Sequence, residues 1–134
     1  MRVLAIDFGG KRIGVAVGES EHQIPSPRPA LAATGTLKLD AANIVKLCGT
    51  EQCSDVVIGV ALDEGQETKM SRICRMLGAQ IVELGIPVHF VDESLTSSQG
   101  ESHLHEHDWT AATRKKHLDS EAACIILERY FGKA

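Results

Sequence analysis

Hydrophobic residues along the chain fall into short continuous runs that predict β-strands. Two such runs are Val3–Ile6 and Asp55–Ala61, and a third lies in the segment PVHFVDES, which begins at Pro87. Runs of this length are too short for helices and are typical of strands covered on both faces. Gly9-Gly10 follow the first run and permit a tight reversal of the chain, which predicts a hairpin with a second strand, Arg12–Val17.

Prolines and helical periodicity mark the segments between these runs. The stretch Glu19–Pro29 carries three prolines and is predicted to be extended or looped, and the following ALAATG, residues 30–35, to form a strand at a sheet edge. Helical spacing of apolar residues predicts helices over Leu37–Cys48, capped by Gly49, and over Arg114–Phe131.

A further helix lies between these two and is closed by Gly85; its predicted apolar face consists of Met70, Ile73, Cys74, Leu77, Ile81 and Leu84. The order is therefore strand, strand, strand, helix, strand, helix, strand, helix. It predicts an α/β protein with a mixed five-stranded sheet, in which an antiparallel hairpin is extended by parallel strands and helices flank the sheet. A chain of 134 residues accommodates one such unit, which predicts a single domain over residues 1–134.

Composition and charge restrict the class of protein. The chain has 43% hydrophobic and 24% charged residues, no apolar run long enough for a membrane helix and no secretory cleavage site, which predicts a cytoplasmic protein without membrane association. The four cysteines form no C-x-x-C pair, so we expect reduced, mostly buried thiols. A formal net charge of -4 argues against a protein that holds nucleic acid by bulk positive charge.

Three acidic residues occupy places that the predicted topology would bring together. Asp7 ends the first strand and Glu93 the last, and sites in open α/β sheets form at the carboxyl ends of parallel strands. Asp119 lies in the first turns of the last helix, which can pack across the same edge of the sheet. Because converging carboxylates repel one another, we expect divalent cations to neutralise them, with all three acids as metal ligands and catalytic residues.

The expected cofactor is a pair of Mg²⁺ or Mn²⁺ ions. Mg²⁺ prefers hard oxygen ligands and binds through a few carboxylates together with substrate phosphate, and two such ions about 4 Å apart can promote phosphodiester cleavage. Two basic clusters lie near the acids in sequence, Lys11-Arg12 and Arg114-Lys115-Lys116, and are predicted to hold the phosphates of a nucleic acid. The second cluster has an alternative interpretation as a solvated helix end.

Each acid also has an interpretation without catalysis. Asp7 could accept backbone hydrogen bonds in the glycine turn, and Glu93 could be an exposed charge at a strand end or an early helix cap. Asp119 could be a first-turn acid favoured by the helix dipole and paired with Lys115. Glu121 follows Asp119 by two residues, which turns it about 200° around a helix, so we expect it to face solvent.

The segment HLHEH offers a different metal-binding hypothesis. His103 and His107 are four residues apart, with His105 between them, and would share one face of a helix. No cysteine or acidic pattern completes a four-ligand site, so solvated histidines are the favoured interpretation.

The segments IDFGGKRIGVAV, DVVIGVALDEG, VDESLTS and RKKHLDSEAACIIL occur in the order seen in YqgF/RuvX proteins, and the chain resembles that family over nearly its whole length. The family is described both as Holliday junction resolvases and as pre-16S rRNA nucleases. The resemblance implies an RNase H-like fold, a nuclease acting in pre-16S rRNA 5'-end processing during ribosome biogenesis or on branched DNA, and Asp7, Glu93 and Asp119 as the motif acids. The family's D-x-G-x-K-R-I-G is supplied by residues 7–14.

Three positions depart from the family's motifs. Ser94 stands where an arginine is usual after the second acid, Ala61 stands where a proline is usual, and Glu121 stands where an apolar residue is commoner. All three motif acids are retained. The departures therefore concern substrate handling, since an arginine at the position of Ser94 would be a phosphate contact.

Three functions compete at this point. The first is a metal-dependent nuclease acting on structured RNA or branched DNA; a junction resolvase would need paired active sites and hence a homodimer. The second is a noncatalytic nucleic-acid-binding or ribosome-assembly factor that keeps the same fold. The third is nucleotide binding, suggested by the D-x-G of sugar kinases and actin-like ATPases, and it is disfavoured because those proteins close two such domains around the nucleotide.

Overall fold

The computed structural model describes residues 1–93 and 111–132, and within the last helix it describes side chains from Ser120 onward. The strands are β1 (Arg2–Phe8), β2 (Arg12–Glu19), β3 (Ser26–Ala32), β4 (Asp55–Val60) and β5 (Val88–Asp92). The helices are α1 (Leu37–Glu51), α2 (Lys69–Glu83) and α3 (Ala111–Tyr130). Their order along the chain is the predicted one.

The five strands form one mixed sheet in the order β3-β2-β1-β4-β5. β2 pairs antiparallel with both β1 and β3, whereas β4 runs parallel to β1 and β5 parallel to β4. The predicted combination of an antiparallel hairpin with parallel strands is therefore confirmed. β1 occupies the centre of the sheet, as the uninterrupted apolar run Val3–Ile6 indicated.

Helices cover both faces of the sheet, which explains why β1 is continuously apolar. Leu4 and Ile6 pack on one face with the buried residues of α1 and α2, including Ile44 and Leu77. Val3 and Ala5 point to the opposite face, where they pack with α3. Successive residues of a strand alternate between faces, so a strand between two helical layers needs apolar residues at every position.

The third strand differs from the prediction. It runs over Ser26–Ala32 rather than over residues 30–35, and so contains Pro27 and Pro29. Proline cannot donate a ladder hydrogen bond, but a strand at the sheet edge has one side without a neighbouring strand, and β3 lies at that edge. The edge position was predicted correctly, but the prolines led to the prediction that the first half of this strand is extended or looped.

Two further predictions need correction. Gly49 does not cap α1, which continues to Glu51 and ends at Gln52 with a left-handed φ of 60°. β5 is not a buried strand, because it forms the second edge of the sheet and Phe90 is 38% exposed. An apolar run identifies a strand, but it does not reveal whether a neighbour covers its outer side.

The second helix follows its predicted pattern in the middle and departs from it at the ends. Cys74, Leu77 and Ile81 are buried, whereas Met70 and Leu84 are exposed. All four cysteines are buried and free, as expected. No helix within the described residues combines the length and the apolar composition needed to cross a membrane.

Candidate active site

Two of the predicted acids meet at the carboxyl ends of β1 and β5. Ile6 of β1 pairs with Ile58 of β4, so the next residues along the two strands, Asp7 and Gly59, are neighbours. The backbone N–H of Glu93 donates to the carbonyl oxygen of Val60 at 2.9 Å and so prolongs the pairing of β4 with β5. The carboxyl groups of Asp7 and Glu93 come close enough to each other across β4 for each to influence the protonation of the other.

Gly59 creates the space in which this acid pair lies. A Cβ atom at Gly59 would stand 2.7 Å from Oε2 of Glu93 and 2.3 Å from Cδ1 of Ile126. Both separations are shorter than real Cβ contacts. The missing side chain therefore admits the Glu93 carboxyl group on the strand and lets α3 approach the sheet at the same point.

The surroundings of Glu93 favour its neutral form. Burial raises its pKa to about 8, and the negative charge of Asp7, the hydrogen bond to Asp7 and the charge of Asp92 act in the same direction. The positive charge of Arg129 lowers the pKa and offsets only part of this rise. The pair Asp7–Glu93 therefore holds a proton at neutral pH.

The same charges reach the Cys74 thiol. Burial raises its pKa to about 12, with additional contributions from the charges of Glu93 and Asp7. This thiol is therefore neutral at physiological pH and is a poor metal ligand and nucleophile.

The acid pair fits a divalent cation. Two oxygen donors are held together in a partly buried position where like charges repel, and a cation there would replace the shared proton. Carboxylate oxygens are the donors that Mg²⁺ and Mn²⁺ prefer. Among the residues whose side chains the structure describes, no group of three or more potential ligands is present.

Asp119 is the predicted third ligand. Its backbone lies in α3, immediately before the buried residue Ser120, and its side chain is not among those described. The basic residues Arg114, Lys115 and Lys116 also lie in α3, with side chains outside the described set. Ser94 and the three histidines 103, 105 and 107 lie outside the described residues.

A polar cavity of about 360 Å³ adjoins Asp7 on the hairpin side. It is lined by Asp7, Gly9, Lys11, Arg12 and Gly14. The turn that forms it is tight: the N–H of Gly9 donates to the carbonyl oxygen of Arg12 at 3.0 Å, and a Cβ at Gly9 would stand 2.9 Å from that oxygen. Lys11 and Arg12 are exposed beside the acid, where they can attract an anionic group.

The prediction that Glu121 faces solvent is wrong. Glu121 is only 3% exposed, and its charge contributes, after burial, to the raised pKa of the Cys124 thiol. Its neighbourhood in α3 is buried on all sides, as the run of consecutive buried residues shows: Ala123, Cys124, Ile125, Ile126 and Leu127. In such a helix a rotation of 200° leads to another buried face rather than to water.

Comparison with known proteins identifies the family of the chain. The family model described as "RuvX: Holliday junction resolvase" matches residues 1–133. The chain belongs to the RuvX family. A relative from Maridesulfovibrio salexigens, named "Putative pre-16S rRNA nuclease", is 35% identical over 136 residues that cover the whole of both chains. A relative of the same name from Dechloromonas aromatica is 36% identical and covers 96% of this chain and 89% of its own.

Solved structures support the fold of this RuvX protein. RuvC of T. thermophilus, solved in complex with Holliday junction substrate, superposes with a TM-score of 0.61 at 15% identity, covering 100% of this chain and 98% of its own. The fowlpox virus Holliday junction resolvase gives 0.63 at 12% identity with full coverage of both chains. The expected RNase H-like fold is confirmed.

Sequence reasoning missed three residues at the RuvX site. Gly59 lies within the motif segment DVVIGVALDEG, and its lack of a side chain makes room for Glu93. Arg129 lies ten residues beyond Asp119, yet its charge reaches Glu93 and its Nη1 donates to the carbonyl oxygen of Asp92 at 3.3 Å. Ser120 was overlooked beside the more conspicuous acid. A search for small residues next to the motif acids in sequence would have found Ser120, whereas Gly59 is near Glu93 only in the folded chain.

Proposed function

We propose that this protein is a divalent-metal-dependent nuclease that hydrolyses phosphodiester bonds in structured nucleic acid, with Asp7, Glu93 and Asp119 as metal ligands and catalytic residues. The observation that carries the proposal is the close pair of Asp7 and Glu93 at the carboxyl edge of the sheet, where Oε2 of Glu93 is buried beside Gly59. Keeping two carboxyl groups together in a partly buried position costs stability. That cost is explained if the pair binds a cation, and the family and fold of the chain point to a nuclease.

The three acids would hold two Mg²⁺ or Mn²⁺ ions, which would supply activation of a water and stabilisation of the leaving oxygen. The chain's own contribution is to keep the ligands in place. β1 fixes Asp7 in the centre of the sheet, and the hydrogen bond from the N–H of Glu93 to Val60 fixes the backbone of the second ligand. Both carboxylates must be ionised to bind a cation, so the proton shared by Asp7 and Glu93 has to leave first.

Lys11 and Arg12 would hold substrate phosphate beside Asp7. Both residues line the cavity beside Asp7, and Gly9 adds no side chain to that cavity. Arg114, Lys115 and Lys116 are proposed as further nucleic-acid contacts from the start of α3. Positive charge at these two places allows a chain of net charge -4 to bind an anionic polymer locally.

Pre-16S rRNA is the proposed substrate, and branched DNA is the second candidate. The relatives' printed name concerns pre-16S rRNA, and the family description concerns Holliday junctions. A junction resolvase would act as a homodimer with paired sites, whereas 5'-end processing of rRNA during ribosome biogenesis does not require one. A role in rRNA processing also predicts a cytoplasmic location.

A cleavage assay tests the catalytic proposal. Purified protein is incubated with precursor 16S rRNA and with four-way DNA junctions, with Mg²⁺, with Mn²⁺ and with chelator. Cleavage is expected only with metal, and Asp7→Asn is expected to abolish it. Glu83→Gln, an exposed acid at the end of α2, is the matched control and should cleave as wild type does. Intact substrates in every reaction would contradict the nuclease proposal.

Binding measurements separate catalysis from nucleic-acid recognition. Lys11→Ala is expected to weaken binding and to reduce the slope of log affinity against log salt by about 1, because one phosphate contact is lost. Lys46→Ala, an exposed lysine of α1, should leave that slope unchanged. Salt-dependent binding without cleavage would support the alternative of a noncatalytic assembly factor.

A further inference from the structure

One helix side chain joins two strands beside the candidate active site. Ser120 of α3 is fully buried, and its hydroxyl accepts a hydrogen bond from the N–H of Val15 at 3.0 Å. The same hydroxyl donates to the carbonyl oxygen of Arg28 at 2.5 Å. Val15 in β2 and Arg28 in β3 face each other in the antiparallel pair, so the serine bridges groups that belong to the strand ladder.

The bridge lies at an irregularity of the sheet. The register of β2 against β3 shifts just before Val15, where β3 carries one residue more than β2. Pro29 lies in that stretch and has no N–H to donate. The residue of β2 at this point is Gly14, which faces Asp7 across the hairpin. Ser120 therefore attaches α3 to Val15, the residue next to Gly14, which is the strand partner of Asp7.

The position of the attachment bears on Asp119, which precedes Ser120 in α3. Consecutive helix residues are about 1.5 Å apart along the axis, so a fixed Ser120 fixes the backbone of its neighbour. Within the described part of α3, Leu127 packs on Gly18 and Ile126 on Gly59 through apolar contacts, and near the end of the helix Arg129 donates to the carbonyl oxygen of Asp92. Apolar contacts allow a helix to slide or turn, whereas two hydrogen bonds to strand backbone have defined directions.

We propose that Ser120 is a positioning residue, whose hydroxyl sets the register of α3 against β2 and β3 and thereby places Asp119 relative to Asp7 and Glu93. The inference rests on the proposed function, because it takes Asp119 as the third metal ligand. It assigns Ser120 no contact with substrate or metal. A serine that only stabilised the fold would leave the site geometry intact when replaced.

The test compares Ser120→Ala with Ile44→Val. Ile44 is fully buried in α1, on the face of the sheet opposite α3, so its replacement lowers stability without touching α3. Crystal structures of both variants give the distance between the Cα atoms of residues 7 and 119. We expect this distance to change by more than about 0.5 Å in Ser120→Ala, beyond the tolerance of a catalytic arrangement, and to stay unchanged in Ile44→Val.

Enzyme kinetics and metal binding provide a second, independent test of the positioning role. Ser120→Ala is expected to lower kcat about tenfold with KM within a factor of two, and to weaken Mn²⁺ binding measured by calorimetry, while Ile44→Val changes neither. If Ser120→Ala does not fold, Ser120→Cys takes its place, because the thiol fills the space of the hydroxyl and forms weaker hydrogen bonds.

The outcomes are distinguishable. An unchanged distance between residues 7 and 119 overturns the inference, and so does an unchanged kcat in a variant of an active enzyme. If the wild type neither binds Mn²⁺ nor cleaves nucleic acid, the proposed function fails, while the distance between residues 7 and 119 still decides whether Ser120 positions α3.

Discussion

Replacing Glu93 by glutamine should change how stability depends on pH. The folded protein holds the Glu93 proton with a pKa of about 8, mainly because of burial, whereas the unfolded chain loses it near the ordinary value of 4.5. Between these two values the folded state binds more protons than the unfolded state. The free energy of unfolding of the wild type therefore falls as pH rises through this window and levels off above it.

The magnitude follows from the same pKa. A rise from 4.5 to about 8 corresponds to a ceiling of roughly 5 kcal/mol at about 1.4 kcal/mol per pKa unit. Glu93 is half-buried and solvent screens part of its charge, so we expect a loss of about 2 to 3 kcal/mol. In Glu93→Gln the amide can still donate to Asp7 but does not titrate. The variant should match the wild type near pH 4.5 and exceed its stability by that amount near pH 8.5.

Urea unfolding followed by circular dichroism measures the difference. The measurements compare three proteins at pH 4.5, 6.5 and 8.5 with chelator and reductant: wild type, Glu93→Gln and the exposed control Glu83→Gln. Subtracting the wild-type free energy of unfolding removes the pH dependence that other titrating groups contribute. Adding Mg²⁺ at pH 8.5 should stabilise the wild type more than Glu93→Gln. Parallel pH curves for wild type and Glu93→Gln would refute the buried, protonated acid pair.

Two other substitutions test parts of the same structure. Gly59→Ala should destabilise the fold by about 1 to 3 kcal/mol and lower metal affinity, because the added Cβ would meet Ile126 and Glu93. Gly49→Ala in α1 is the control and should stabilise the fold by up to about 1 kcal/mol, because its added Cβ would meet no atom within 4 Å beyond the nearby helix backbone. Equal effects of the two substitutions in thermal unfolding would contradict this packing. Glu51→Gln should lose about 1 kcal/mol at pH 7, since the hydrogen bond from Arg28 lowers the pKa of Glu51. That difference should disappear as pH falls below 4.5 through the lowered pKa, and a loss that persisted in acid would exclude the ion pair as its cause.

The sequence predicted the central part of the sheet well, because each strand there lies between two helical layers. Val3–Ile6 and Val56–Val60 carry no polar side chain, and the structure buries every one of these residues. The edges were harder to predict. β5 has the same apolar character but only one neighbouring strand, and β3 contains prolines that are tolerated only because it lies at an edge.

The candidate site was predictable as far as topology determines it. Asp7 lies near the end of β1 and Glu93 directly after β5, and both strands pair with β4, so the pattern of parallel strands was sufficient to predict that the two acids meet. The burial of Glu121 was not predictable, because it depends on how deeply α3 is packed rather than on its periodicity. The role of Ser120 was not predictable either, because its hydrogen-bond partners are backbone groups at a register shift, and the sequence does not reveal that shift.

The central claim is that Asp7, Glu93 and Asp119 bind divalent metal. Anomalous diffraction from a crystal soaked in Mn²⁺ tests it most directly, because the ion is located independently of the refined side chains. We expect at least one anomalous peak about 2.1 Å from carboxylate oxygens of Asp7 and Glu93, with Asp119 as a further ligand, and loss of the peak in Glu93→Gln. A saturated crystal with no peak at these acids, or with its only peak at the histidines of residues 103–107, would contradict the claim.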